Sequence, residues 1–141
     1  MKRLLALACL LLSFASAAER PARVTVLEGD NLAQNIVAAS LREDVAAGDA
    51  RVKQARAWLD KAVAVTGEEE KAVAAFSERT ARWFFDISRS KATSLEMLEA
   101  LALLAKPGTT MNDTLRGYIE ARRAAAGKSH AEALKALGSA R

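Results

Sequence analysis

Placed at about 100° per residue, several stretches of the chain gather their apolar side chains on one face, the signature of amphipathic helices. Residues 49–65 align Val52, Ala55, Leu59, Ala62 and Val63, with Trp58 on the flank. Residues 67–89 align Val73, Phe76, Thr80, Trp83, Phe84 and Ile87 as the expected core stripe. The stretch 94–105 is apolar around most of its circumference, through Leu95, Met97, Leu98, Leu101, Ala102, Leu103, Leu104 and Ala105, and reads as the most buried element. Met111, Leu115, Tyr118 and Ile119 mark a further stripe over 110–125.

Helix starts are marked by a capping side chain followed three positions later by an acid or glutamine, which satisfies the first free N–H groups. Such boxes occur at Asn31 with Gln34, Thr66 with Glu69, Thr93 with Glu96, Thr110 with Asp113 and Ser129 with Glu132, and Asp49 is a further candidate cap. Gly48, Gly67, Lys106-Pro107-Gly108 and Gly127 punctuate the intervals. The spacing predicts six helices, near 31–47, 49–65, 67–89, 94–105, 110–125 and 129–138. Short connections favour antiparallel neighbours, so the expected fold is all-α, an irregular antiparallel or orthogonal bundle of about five to six helices.

Ahead of the helices, Lys2 and Arg3 precede an apolar run from Leu4 to Leu12 and the small residues Ala15-Ser16-Ala17, the pattern of a cleaved export signal. The expected organisation is a leader over 1–17, an extended arm over 18–30 and a single helical domain over 31–141. The apolar run is shorter than the roughly 20 residues a stable membrane anchor needs, so no such anchor is expected. The leader contains Cys9, the only cysteine, so the mature domain has no disulfide and relies on its core. In the arm, Val24 and Val26 alternate before Gly29-Asp30-Asn31-Leu32, which resembles the strand-to-helix opening of LysM peptidoglycan-binding modules. The resemblance stops there: Ile36 falls one position late for that pattern and no closing strand follows.

The formal charge of +4 includes the leader; losing Lys2 and Arg3 from 21 basic residues leaves 19 against 17 acidic ones. Such a small excess in an exported chain argues against nucleic acid as partner. The chemistry-bearing residues are sparse. His130 is the only histidine, so no zinc cluster and no Cys-His pair can form, and no cofactor or metal is expected. Adjacent Ser129 points about 100° away from it and serves better as a cap, while His130 itself reads as a half-buried packing residue beside Leu134 and Leu137. Glu68, Glu69 and Glu70 suit the first turn of a helix, and Glu96, Glu99 and Lys106 read as an exposed strip on a buried helix.

One constellation points to binding. Lys71, Glu78, Arg82, Asp86 and Arg89 share the polar side of the third helix, with Arg79 at its edge and Phe85 among them. Phe85 lies roughly 160° from the apolar stripe, so one core cannot cover both. Exposed aromatic side chains with arginine are the composition of interface hot spots, which makes Phe85, Arg82, Arg89 and Arg79 the candidate partner-binding residues. Arg116, Arg122, Arg123 and Lys128 form a second basic cluster, in which Arg122 is expected to snorkel from the Met111 and Leu115 side. The expected function is an exported, periplasmic or secreted, non-catalytic protein that binds another protein: an adaptor, chaperone, assembly factor or immunity-type inhibitor. Self-association through an exposed fourth helix is a further expected route to an oligomer. The alternative is a small all-α enzyme working by Arg, Lys and carboxylate electrostatics. It is similar to the exported chorismate mutases in fold class and export, with no stretch matching that family's residues.

Overall fold

The computed structural model describes residues 31–125 and 129–138, so the expected leader and arm lie outside the described residues. Six helices follow one another: α1 Leu32–Leu41, α2 Ala50–Thr66, α3 Glu70–Ser88, α4 Ser94–Leu104, α5 Met111–Ala124 and α6 His130–Ala136. No strand occurs among them, and the fold is an all-α helical bundle. No described helix is long and apolar enough to cross a membrane.

α4 forms the centre, in contact with α1, α2, α3 and α5. Its Met97, Leu98, Ala100 and Leu101 are completely buried, as expected of a helix apolar on nearly all sides. Leu103, 37% exposed, is the one large apolar side chain that α4 leaves at the surface. Four starts are capped as the sequence predicts: Asn31, Thr93, Thr110 and Ser129 each accept a backbone N–H three residues on. The Thr93 cap is reciprocal, because Glu96 accepts the Thr93 N–H in return at 2.8 Å. Asp49 starts α2 by accepting the Arg51 N–H.

Two boundaries depart from expectation. The first helix ends at Leu41 and not at 47: Arg42 turns left-handed at φ 57° to cap it. Val45 then folds back into the core, held by its carbonyl accepting the Gln34 side-chain amide at 2.7 Å. Thr66 does not open the third helix. It is the last residue of α2, where its hydroxyl donates to the Ala62 carbonyl, and α3 begins four residues later, at Glu70, with no side-chain cap at Glu69. Gly67, at φ 70°, supplies the left-handed stop between them, which is the role glycine fills without steric cost.

Arg89 caps α3 in the same left-handed conformation as Arg42. A side chain bearing Cβ is strained there by about 1–2 kcal/mol, and glycine is not. Arg89→Gly is therefore expected to raise stability by about 0.5–1 kcal/mol after the entropy of the freer unfolded chain is subtracted. Chemical denaturation of the two forms checks this; an unchanged or lower midpoint would show that the arginine side chain holds the turn.

The core line of α3 is rotated from the one its sequence suggests. Phe84 is completely buried, along with Val73, Ser77 and Ser88, whereas Trp83 is 60% exposed and Ile87 45% exposed. The two serines read as polar but bury without penalty: Ser77 donates to the Val73 carbonyl at 2.9 Å and Ser88 to the Phe84 carbonyl at 2.7 Å. With the helix turned by some 60–80° from the expected stripe, its larger side chains fall on two flanks. Phe76, Trp83, Ile87 and Arg79 lie on one, and Ala81, Phe85, Glu78 and Arg82 on the other.

Candidate functional site: the two flanks of α3

Each flank of α3 lines a groove. The first, about 380 Å³, lies between α3, the end of α1 and the start of α4, and is bordered by Arg42, Glu78, Arg82, Phe85 and Lys91. Phe85 is 48% exposed at its edge. Arg82 reaches back four residues to pair with Glu78, whose carboxylate is nearly covered while the guanidinium stays 70% exposed. The other oxygen of Glu78, Oε2, is buried without a hydrogen-bond partner.

The second groove, about 450 Å³, runs between α3 and α5. Phe76 and Leu115 line it from below, while Trp83, Ile87 and Ile119 border it from the sides. Arg79, Arg116 and Arg123 stand around it against the single carboxylate of Glu120. Arg79 sits over the Phe76 ring, 5.6 Å from its centroid. Arg116 makes only a long surface pair with Asp113 at 3.7 Å, a type that contributes little in water.

The candidate binding residues are thus divided. Arg82 and Phe85 share the first groove, Arg79 lies on the second, and Arg89, exposed at the helix cap, lines neither. Trp83 and Ile87, expected in the core, join Arg79 at the surface instead. The rotation of α3 could have been read from Phe84, Ser77 and Ser88, had small hydroxyl residues been counted as helix-compatible core positions.

A buried polar chain holds the other end of the bundle. Arg122 is 5% exposed and does not snorkel: Nη1 donates to the Tyr118 hydroxyl at 2.6 Å and Nη2 to the Lys91 carbonyl at 2.9 Å. Glu96 lies 3.7 Å from the same guanidinium, which also stacks 5.3 Å from the centre of the Phe84 ring. The Tyr118 hydroxyl meets Nδ1 of His130 at 2.7 Å, and Nε2 of His130 meets Glu99 at 3.0 Å. One assignment of protons satisfies every contact: Arg122 donates to Tyr118, Tyr118 donates to His130 Nδ1, and His130 Nε2–H donates to Glu99. Burial pushes the Tyr118 hydroxyl up to about 12, with the Arg122 hydrogen bond opposing it.

Glu96 and Glu99 are accordingly not an open strip; both are half-buried partners of this chain. The arrangement ties α4, α5, α6 and the α3–α4 connection together. The side chains of Tyr118, Arg122, His130, Glu96 and Glu99 line neither groove, and their contacts act as a clasp between these elements. Arg82, Arg89 and Arg122 do not converge on a common cavity. Compared with family models, curated proteins and solved structures, the chain matches none.

Proposed function

We propose that the chain is an exported, non-catalytic binding protein of the periplasm or cell exterior, and that its partner is another protein docking on the C-terminal half of α3. One observation carries this reading: Trp83, Phe85 and Ile87 stand 60%, 48% and 45% exposed within two turns of one helix. Single apolar side chains on a surface are ordinary. Here Trp83 and Ile87 stand beside Arg79 on one flank and Phe85 beside Arg82 on the other, so each flank has the aromatic-and-arginine composition of a binding hot spot, and completing the burial of each side chain would contribute about half of the roughly 1.5–3 kcal/mol that full burial is worth. Export rests on Lys2 and Arg3, the Leu4–Leu12 run and the small residues ending at Ala17. An adaptor, chaperone, assembly factor or immunity-type inhibitor would all use such a surface.

The test is affinity capture from the native cell envelope with the chain from Ala18 onward, beside a Trp83→Ala, Phe85→Ala variant verified as folded by circular dichroism. A defined protein recovered with the parent chain and lost with the variant is expected. Recovery that is equal for both forms, or nothing recovered with either, would overturn the reading. Mass spectrometry of the exported protein should find its N-terminus at Ala18.

A further inference from the structure

Of the two grooves, the one between α3 and α5 carries an inference about the partner itself, which rests on the protein-binding reading above. The geometry points to an acidic amphipathic helix of the partner, about three turns long, as the occupant of this groove.

Length comes first. The Phe84 and Tyr118 rings lie 6.0 Å apart, and Arg122 reaches Lys91 just past the end of α3, so α3 and α5 run in the same sense. The lining residues extend from Phe76 to Ile87 on one helix and from Asn112 to Arg123 on the other. At 1.5 Å per residue each wall is about 16 Å long, which is three helical turns.

The walls then select the conformation of what lies between them. Both are α-helices whose interior backbone groups are already paired, so they offer nothing to the free N–H and C=O groups of an extended segment. A helix brings its own backbone satisfied and needs only apolar side chains at i, i+3, i+4 and i+7 to meet Trp83, Ile87 and Ile119. A lipid bilayer is a poorer match, because a flat surface touches the rims of a trough and misses its floor.

Charge selects the flanks. Three guanidinium groups face one carboxylate around the groove. Arg116 and Arg123 stand seven residues apart on the α5 side, about 10 Å along the axis, and Arg79 stands on the α3 side. An occupant with Asp or Glu on both sides of its apolar stripe, spaced by two turns on the α5 side, complements them.

The experiment selects binders from displayed random peptides of about 14 residues against the chain from Ala18 onward. Emission is read from Trp83 in a Trp58→Phe background, since the chain has two tryptophans. We expect enriched peptides with helically spaced apolar residues flanked by acids, binding that shifts Trp83 emission to the blue, and a loss of tenfold or more in the Arg116→Glu, Arg123→Glu variant. Phe85→Ala should leave this binding unchanged. Enriched sequences that are basic or strand-alternating would overturn the inference, as would binding indifferent to the charge reversal, the absence of any Trp83-dependent peptide, or a Trp83 shift produced by phosphatidylglycerol vesicles alone. Peptides lost with Phe85→Ala and Arg82→Ala but retained by the charge-reversed variant would move the site to the other groove, leaving the protein-binding reading standing.

Discussion

Arg122→Met is expected to destabilise the fold by about 3–5 kcal/mol, because it removes one member of a buried charged set and leaves the others behind. Methionine keeps much of the length of the arginine stem but not the guanidinium that lies over the Phe84 ring. What disappears is the donor to the Tyr118 hydroxyl, the donor to the Lys91 carbonyl and the positive charge facing Glu96. Glu96 remains 27% exposed and recovers some hydration, which places the loss towards the lower part of that range. Urea unfolding followed by circular dichroism should show a lower midpoint with an unchanged slope. Arg116→Met is the internal comparison: that side chain is 72% exposed, and its replacement should alter stability by no more than about 0.5 kcal/mol. Equal midpoints for Arg122→Met and the parent would show that the clasp contributes nothing to the fold.

The second large effect is spectroscopic. The chain has one tyrosine, so phenolate absorbance reports Tyr118 without deconvolution. Its midpoint should lie near 12 in the folded protein and near the ordinary 10.0 in concentrated urea. The folded state therefore holds the neutral hydroxyl more firmly than the unfolded chain does. The stabilisation from this group is complete below pH 10, and it is lost as pH rises towards 12. Two units of proton affinity correspond to a few kcal/mol, so stability should fall over that interval. Tyr118→Phe should flatten this alkaline loss. At neutral pH it should itself cost about 1–3 kcal/mol, because Arg122 Nη1 and His130 Nδ1 lose their buried partner. A folded-state midpoint near 10 would place the hydroxyl in contact with water.

These two predictions concern residues that sequence patterns described one at a time. Helix existence was legible because it depends on local chemistry: a cap such as Thr93 with Glu96 and an apolar run such as Leu95 to Leu104 are contained within a few turns. Helix rotation was less legible, because it depends on which neighbours arrive. Trp83 and Ile87 form a good stripe with Phe76 in isolation, yet α4 meets the Phe84 side, where Ser77 and Ser88 have already bonded to their own helix. The Thr66 box failed for a related reason. A threonine can donate back to the preceding turn as readily as it caps a following one, and here Gly67 ends α2 first.

The polar clasp was the least legible feature, since its members come from α4, α5, α6 and the segment after α3. One signal was present: Met111, Leu115, Tyr118 and Arg122 recur at helical spacing, so Arg122 occupies a core position of its own stripe. A cation there requires acceptors from another element, and Glu96 and Glu99 were the acids on the most apolar helix. Helical spacing alone puts Phe85 on the outer side of α3, and there it is exposed. Arg79 and Arg82, grouped by sequence, fall on opposite flanks because three residues of helix separate them by about 60° at the boundary between two grooves.

The seven residues of α6 fall well below the roughly 12–15 that an isolated helix needs to persist in water, so its order is borrowed from its contacts. Ala133 and Leu134 provide the apolar part and His130 the polar part. The bundle consequently has a graded rather than uniform resistance to opening. Native-state hydrogen exchange should therefore find the backbone amides of α4 opening only with the whole domain, and those of α6 through a local detachment from the other helices. Each such detachment would uncover the Tyr118 side of the clasp, where His130 meets the hydroxyl.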